Sequence, residues 1–220
     1  MGKHLECELA DLKHKLLNMG TLVETLIIGS IEALSEQSAE KARRVIKNDT
    51  VIDELENNID EICLDLLALQ QPLAKDLRFV SMSMKIDTDL ERMADLAVDI
   101  SQRVIEISDK PLLKPLVDIP KLGSLAQVMT KDALTSFIQD DIDLAMKVIL
   151  LDSEADRLRD SIQKELIEKY ILKDFSTATR AVPLILIARH LERICDHATN
   201  MAEDVVYLVQ AKIIRHHPRA

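Results

Sequence analysis

The sequence predicts an all-α protein made of two tandem, pseudo-symmetric three-helix bundles, and three observations carry that prediction. Four Gly, two Tyr, three Phe and no Trp in 220 residues, against abundant Leu, Ile, Ala, Glu, Asp and Lys, make a helical composition. Helix breakers crowd one place, "DKPLLKPLVDIPKLG", where Pro111, Pro115, Pro120 and Gly123 forbid a continuous helix and divide the chain near its midpoint. The two halves are also alike. Setting "EKARRVIKNDTVIDEL" (40–55) over "DLAMKVILLDSEADRL" (143–158) pairs Val45 with Val148, Asp49 with Asp152, Asp53 with Asp156 and Leu55 with Leu158. The expected domains are residues 1–110 and 111–220, one bundle each.

Three helices are expected in the first half, at about 5–36, 39–70 and 73–108, with "QQP" as a tight turn and Pro72 suited to a helix start. In the second half they fall near 121–139, 142–171 and 177–214, with Asp174, Ser176 and Thr177 of "DFST" as capping candidates. On the third helix Ile86, Leu90, Met93, Ala97, Ile100, Val104 and Ile107 form a 3–4 spaced apolar stripe. The sixth carries its counterpart in Ile187, Leu191, Ile194, Ala198, Met201, Val205 and Leu208, and both stripes are expected in the core.

Charge and cysteine usage narrow the function classes. With 28 basic and 38 acidic residues the net charge is −10, and no basic stripe interleaves with aromatics, which argues against nucleic acid and for cations or basic protein surfaces. Cys7, Cys63 and Cys195 form no CxxC pair and read as reduced thiols, mostly of the core. No charged-then-apolar signal opens the chain, and its longest strongly apolar run, "AVPLILIA", falls far short of the ~20 residues of a membrane span. A soluble, cytoplasmic protein is expected. His216 and His217 near the terminus offer metal ligands but read as a polar tail.

The chemistry lies in a doubled motif, "LERMAD" at 90–95 and "LERICD" at 191–196. Glu91 with Asp95, and Glu192 with Asp196, are four residues apart, which puts both carboxylates of each pair on one helix face. If the second and third helices of each half are antiparallel, Asp49 and Asp53 come level with the neighbourhoods of Asp95 and Glu91, and Asp152 and Asp156 with Asp196 and Glu192. Each half thus gathers four carboxylates at one height, with Asp99 and Asn200 a turn further along.

Four carboxylates held together repel and raise one another's proton affinity unless a positive charge intervenes. A solvated acidic face, salt bridges to Arg92 and Arg193, or protonated carboxyls paired by hydrogen bonds would each relieve the repulsion, and so would a bound cation, which the duplication favours. All-oxygen ligands suit Mg, Ca, Mn or Fe, whereas zinc and copper usually recruit His or Cys. His190 and His197 flank the second motif, but Asp89 and Leu96 stand at the matching places in the first. A ferritin-like di-iron oxidase would need Glu-x-x-His on two helices, and the chain contains none.

The combination of "LVETLIIGSIEAL", "VIDELENNID", "QPLAKDLRFV" and the doubled "LERMAD" and "LERICD" resembles the PhoU family of phosphate-signalling proteins over nearly the whole chain. That resemblance implies two PhoU-type, spectrin-repeat-like three-helix bundles and a homodimer. It implies Glu/Asp-x-x-x-Asp metal sites, multinuclear iron or zinc in some members, with Mn or Mg also admissible. Carried onto matching positions, the ligands are Asp49, Asp53, Glu91 and Asp95, then Asp152, Asp156, Glu192 and Asp196, with Asp99 and Asn200 adjoining. Ala94 and Cys195 stand where the family commonly has Gly, and Asn200 stands opposite Asp99. The implied role is cytoplasmic restraint of the phosphate-starvation response, by linking the ATPase subunit of a phosphate ABC transporter to a sensor histidine kinase through contact and not turnover. A carboxylate-bridged metal-dependent enzyme, a metal-storage protein and a purely structural scaffold are the alternatives.

Overall fold

Helical periodicity carries through the chain, and the computed structural model, which describes residues 2–214, contains helices and turns without a strand among those residues. The order is α1 (Gly2–Ser35), α2 (Ala39–Asn48), α3 (Thr50–Asp65), α4 (Ala74–Ile107), α5 (Asp118–Gln139), α6 (Ile142–Glu165) and α7 (Ala178–Gln210). α2 and α3 form one arm broken at Asp49, whose backbone stays helical and whose carbonyl accepts from both Ile52 N (2.7 Å) and Asp53 N (3.3 Å). The corresponding arm α6 is unbroken. Each arm ends in a wider π-turn, Leu66–Gln70 and Leu166–Ile171. His216 and His217 lie outside the described residues.

The internal repeat is written into the turns as well as the helices. Gln37 and Asp140 both take left-handed backbone (φ 50° and 57°), and the next residue folds back each time, Ser38 N to Ala33 O at 2.8 Å and Asp141 N to Ser136 O at 2.9 Å. Those next residues then cap the following helix: Ser38 accepts from Lys41 N and Asp141 from Leu144 N. Two local expectations change. Pro72 lies in the turn before α4 and not in its first turn, since Leu73 is extended and precedes the helix. Pro120 and Gly123 fall inside α5, which starts at Asp118, because a proline in the first helical turn lacks only an N–H that would have had no partner. Asp174 does cap, accepting from Ser176 N at 2.9 Å in the 3-10 turn Phe175–Thr177 that leads into α7.

Every residue of both apolar stripes is buried. α4 and α7 pack on each other at the centre, α1 to α3 complete the first bundle, and α5 and α6 complete the second. α1 also packs on α5, so the two bundles lie side by side over one continuous core. Gly123 permits that approach: a Cβ there would stand 2.7 Å from Ile31 of α1. α1 is long and apolar enough over His4–Ser35 to match a membrane span by composition, a helix the longest-apolar-run argument overlooked. Its apolar face is instead core, with Leu12, Leu16, Met19, Val23 and Ile27 fully buried. Cys63 and Cys195 are buried thiols and Cys7 is exposed, so the core expectation holds for two of the three.

Candidate functional site

Antiparallel packing of each arm on the helix that follows brings the expected carboxylates into electrostatic range. In the first bundle Asp49 is half-buried, and burial, then Asp53, then Asp95, push its carboxyl up to about 6. Glu91 rises to about 7, through burial and then Asp95, with Arg92 opposing. Glu56 and the proximity of the Asp95 side chain add smaller contributions in the same direction. Arg92 leans over both, its guanidinium 3.5 Å from Glu91 and 3.7 Å from Asp95, but from a largely exposed position where ion pairs contribute little.

The second bundle repeats the arrangement with different relief. Asp152 is buried on α6 and accepts from Thr199 Oγ1 of α7 at 3.3 Å. Asp196 is raised to about 6 by burial, then Glu192, Asp152 and Asp156, with His197 opposing. The Cys195 thiol is raised by burial and by the same four carboxylates, which places it in their midst. The guanidinium that enters this group belongs to Arg159, not Arg193. Its Nη2 stands 3.1 Å from Glu192 and 3.9 Å from Asp156, while Nη1 lies 2.6 Å from Asp160. Arg193 is felt instead by His190, whose imidazole burial pushes below its ordinary value.

Asp99 and Asn200, a turn beyond the two motifs, have different neighbours. Asp99 stands 3.9 Å from His190 Nδ1 on α7. Asn200 lines an open groove of about 740 Å³ where α3, α4 and α7 meet, with Asp60, Lys85, Thr88, Asp89 and Glu203. The sequence pattern did not point to Arg159, nor to a further acidic row in the first bundle, Glu56 and Asp60 on α3 with Asp87 on α4. Glu56 and Asp60 have the same four-residue spacing as the recognised motifs, which was the available signal.

Two kinds of relief therefore operate at once: the Arg92 and Arg159 guanidinia, and solvent at Asp53 and Asp95, which are exposed. Among the described residues no three His, Cys, Asp or Glu side chains converge as they stand to hold an ion, so ligation requires side-chain rotation. The donor set is all carboxylate, with Asp49, Glu91 and Asp196 raised in proton affinity by burial and by their acidic neighbours, and it fits a hard or borderline cation.

The sequence profile of the PhoU domain matches residues 16–104 and again 119–205. The chain is 42% identical over 209 residues to a protein of Aquifex aeolicus named phosphate-specific transport system accessory protein PhoU homolog, covering 95% of this chain and 94% of that one. It is 36% identical over 217 residues to the Pseudomonas aeruginosa protein of the same name, covering 98% and 89%. Among solved structures, PhoU from Pseudomonas aeruginosa superposes with a TM-score of 0.90 at 36% identity, covering 94% of this chain and 99% of that one. The PhoU regulatory protein from Streptococcus pneumoniae gives 0.88 at 29% identity, covering 96% and 99%. The chain belongs to the PhoU family, with one PhoU domain in each of its two bundles.

Proposed function

We propose that this chain is the accessory protein of a phosphate transport system, and that from the cytoplasm it restrains the phosphate-starvation response by contact with the transporter's ATPase subunit and a sensor histidine kinase. The observation that carries this reading is the extent of the likeness: 95% of the chain aligns with a relative named as a phosphate-specific transport system accessory protein. The role asks for binding surface and not for turnover. Leu69, Leu73, Leu172 and Phe175, all largely exposed at the α3–α4 and α6–α7 turns, offer apolar contact area of the kind protein partners cover. A homodimer is part of the same reading.

Metal binding belongs to the proposal too. Asp49, Asp53, Glu91 and Asp95 would hold one ion or cluster, and Asp152, Asp156, Glu192 and Asp196 another, with iron or zinc foremost by family resemblance and Mn or Mg as further candidates. The ion would add to the positive charge that the two acidic groups now draw from Arg92 and Arg159.

Deletion of the gene tests the regulatory role. Phosphate-scavenging genes should then be expressed in phosphate-rich medium, the intact chain should silence them again, and a pull-down from extract should recover the ATPase or the kinase. An unchanged starvation response, with neither component recovered, would overturn the reading.

A further inference from the structure

The chain does not run straight on after α7. Ala211 takes left-handed backbone (φ 54°), and its N–H closes the helix on Tyr207 O at 2.9 Å. A straight helix would carry Ile214 roughly 16 Å beyond Glu203, at ~1.5 Å per residue. Instead Ile213 and Ile214 share a cavity of about 210 Å³ with Glu203 and Tyr207 of α7 and with Met82 and Lys85 of α4. The chain has turned back along the α4–α7 seam, where the two PhoU domains meet.

That direction leads to an acidic groove. The cavity shares Lys85 and Glu203 with the open groove of about 740 Å³, whose walls carry Asp60 of α3, Asp89 of α4 and Glu203 of α7. The lysine among them is itself paired, 3.6 Å from Asp204. The six residues after Ile214, beyond those the structure describes, read "RHHPRA": two guanidinia, two imidazoles and no acid. Fully extended they reach about 20 Å. In a chain of net charge −10, a cluster of bases thus follows directly on a segment that points along a cluster of acids.

The internal repeat supplies a precedent for such a segment. The shift that sets Glu192 over Glu91 also sets "IIR" at 213–215 over "LLK" at 112–114. In the linker after α4, Leu113 packs on the core, and the Lys114 side chain, 9% exposed, crosses to Glu165 at the end of the arm α6. Asp60 lies toward the end of α3, in the arm of the other bundle. The acids of the groove are not repeated: Gln163, His190 and Gln102 stand where Asp60, Asp89 and Glu203 would fall in the other half. The acidic groove therefore exists at the end of the molecule that has the basic tail.

We propose that residues 215–219 form a basic strap seated in this groove, with the Arg215 guanidinium on Asp60 as the Lys114 ammonium is on Glu165. The strap leaves α7 in the second PhoU domain and ends on α3 in the first, so it clasps the two domains across their seam. Ile213 and Ile214 seat its near end by apolar contact, and its arginines bring charge-assisted hydrogen bonds to the groove carboxylates. While seated, the strap covers the groove; released, it leaves an acidic surface open to other molecules. The inference does not rest on the transporter role.

Trypsin reads the strap directly, because the bond after Arg215 is cut only from the open state. The full-length chain carries K212Q, which removes the preceding tryptic site, and mass spectrometry follows cleavage after Arg215 against a free peptide of residues 208–220 with the same change. Cleavage should be at least about tenfold slower in the folded protein than in the peptide. The protection should be lost in D60N and in about 1 M NaCl, which screens such pairs. Asp60 is partly exposed, so D60N keeps the fold. A double-mutant cycle in urea joins D60N with R215Q: the two midpoint shifts should not add, and R215K should stay nearer to wild type than R215Q does. Arg215 cut as fast as in the peptide would overturn the proposal and leave the groove to a basic segment of another protein. Protection unchanged in D60N, with additive midpoint shifts, would overturn it as well, since the tail then lies elsewhere. Protection that disappears on dilution would put the tail of a second copy in the groove, and the intramolecular strap would fall.

Discussion

His197 Nδ1 of α7 lies 2.8 Å from Asp89 Oδ1 of α4, both side chains largely buried, so that a side-chain hydrogen bond ties the two PhoU domains at the centre of the molecule. It pairs a residue beside the second acidic motif with one beside the first. Removing either partner leaves the other buried with its polar atom unmatched. H197A and D89A are each expected to lower unfolding free energy by about 1.5–3 kcal/mol, with the double variant costing less than the sum. Urea denaturation followed by circular dichroism measures this, and strictly additive losses would mean the contact contributes nothing.

The raised carboxyls predict an inverse acid response for metal-free protein. Asp87 is pushed up to about 8 by burial, then by Asp60, Glu56 and Glu91, from an ordinary 3.8; Glu91 rises to about 7. A group that binds its proton more tightly when folded gives stability that is complete below its unfolded pKa and is lost as pH rises through the folded one. Over the window from 3.8 to about 8, chelator-treated protein should therefore melt at a progressively lower temperature. D87N should flatten the profile, because an amide does not titrate. A profile equally steep in D87N would place the effect in other groups.

Single changes in the doubled motif should separate metal from fold. D53N and D156N are each expected to reduce bound metal in their own bundle while leaving helical content unchanged and stability within about 0.5 kcal/mol, since Asp53 is exposed, Asp156 is half-exposed and the apolar stripes carry the core. Elemental analysis and far-ultraviolet circular dichroism read the two effects. Loss of the fold in either variant would show the carboxylates to be structural.

Arg159 is the resident counter-charge of the second bundle, 3.1 Å from Glu192. R159Q should strengthen cation binding there several-fold, because the ion no longer displaces a guanidinium from its partner. Titration in a D49N/D53N/E91Q/D95N background, which removes the acidic group of the first bundle, measures it. Unaltered affinity would mean Arg159 yields its place at no cost.

Packing at the junction of the bundles gives a stability test independent of the acidic site. G123A would bring a Cβ within 2.7 Å of Ile31 Cγ1, so the gain in helix propensity of about 1 kcal/mol should be outweighed by an overpacking cost of about 1–3 kcal/mol. A more stable G123A would show that α1 and α5 yield easily.

The sequence by itself determined what depends on periodicity along one helix. All fourteen residues of the two apolar stripes are buried, because positions three and four apart share a face whatever the neighbouring helix turns out to be. The doubling, too, was readable in the alignment of Asp49 and Asp53 with Asp152 and Asp156, and the acidic partners do sense one another across each bundle. Boundaries at Pro72 and Pro120 were less readable, since proline excludes a helix interior but tolerates both a preceding turn and a first turn. Only the tertiary structure decided what lies between faces: His197 meeting Asp89, Asp99 turned toward His190, Arg159 entering the acidic group in place of Arg193, and Asp87 closed off from water. Those outcomes depend on which helices abut and on how far a long side chain can reach across the gap. Neither quantity is carried by the spacing of residues within a single helix.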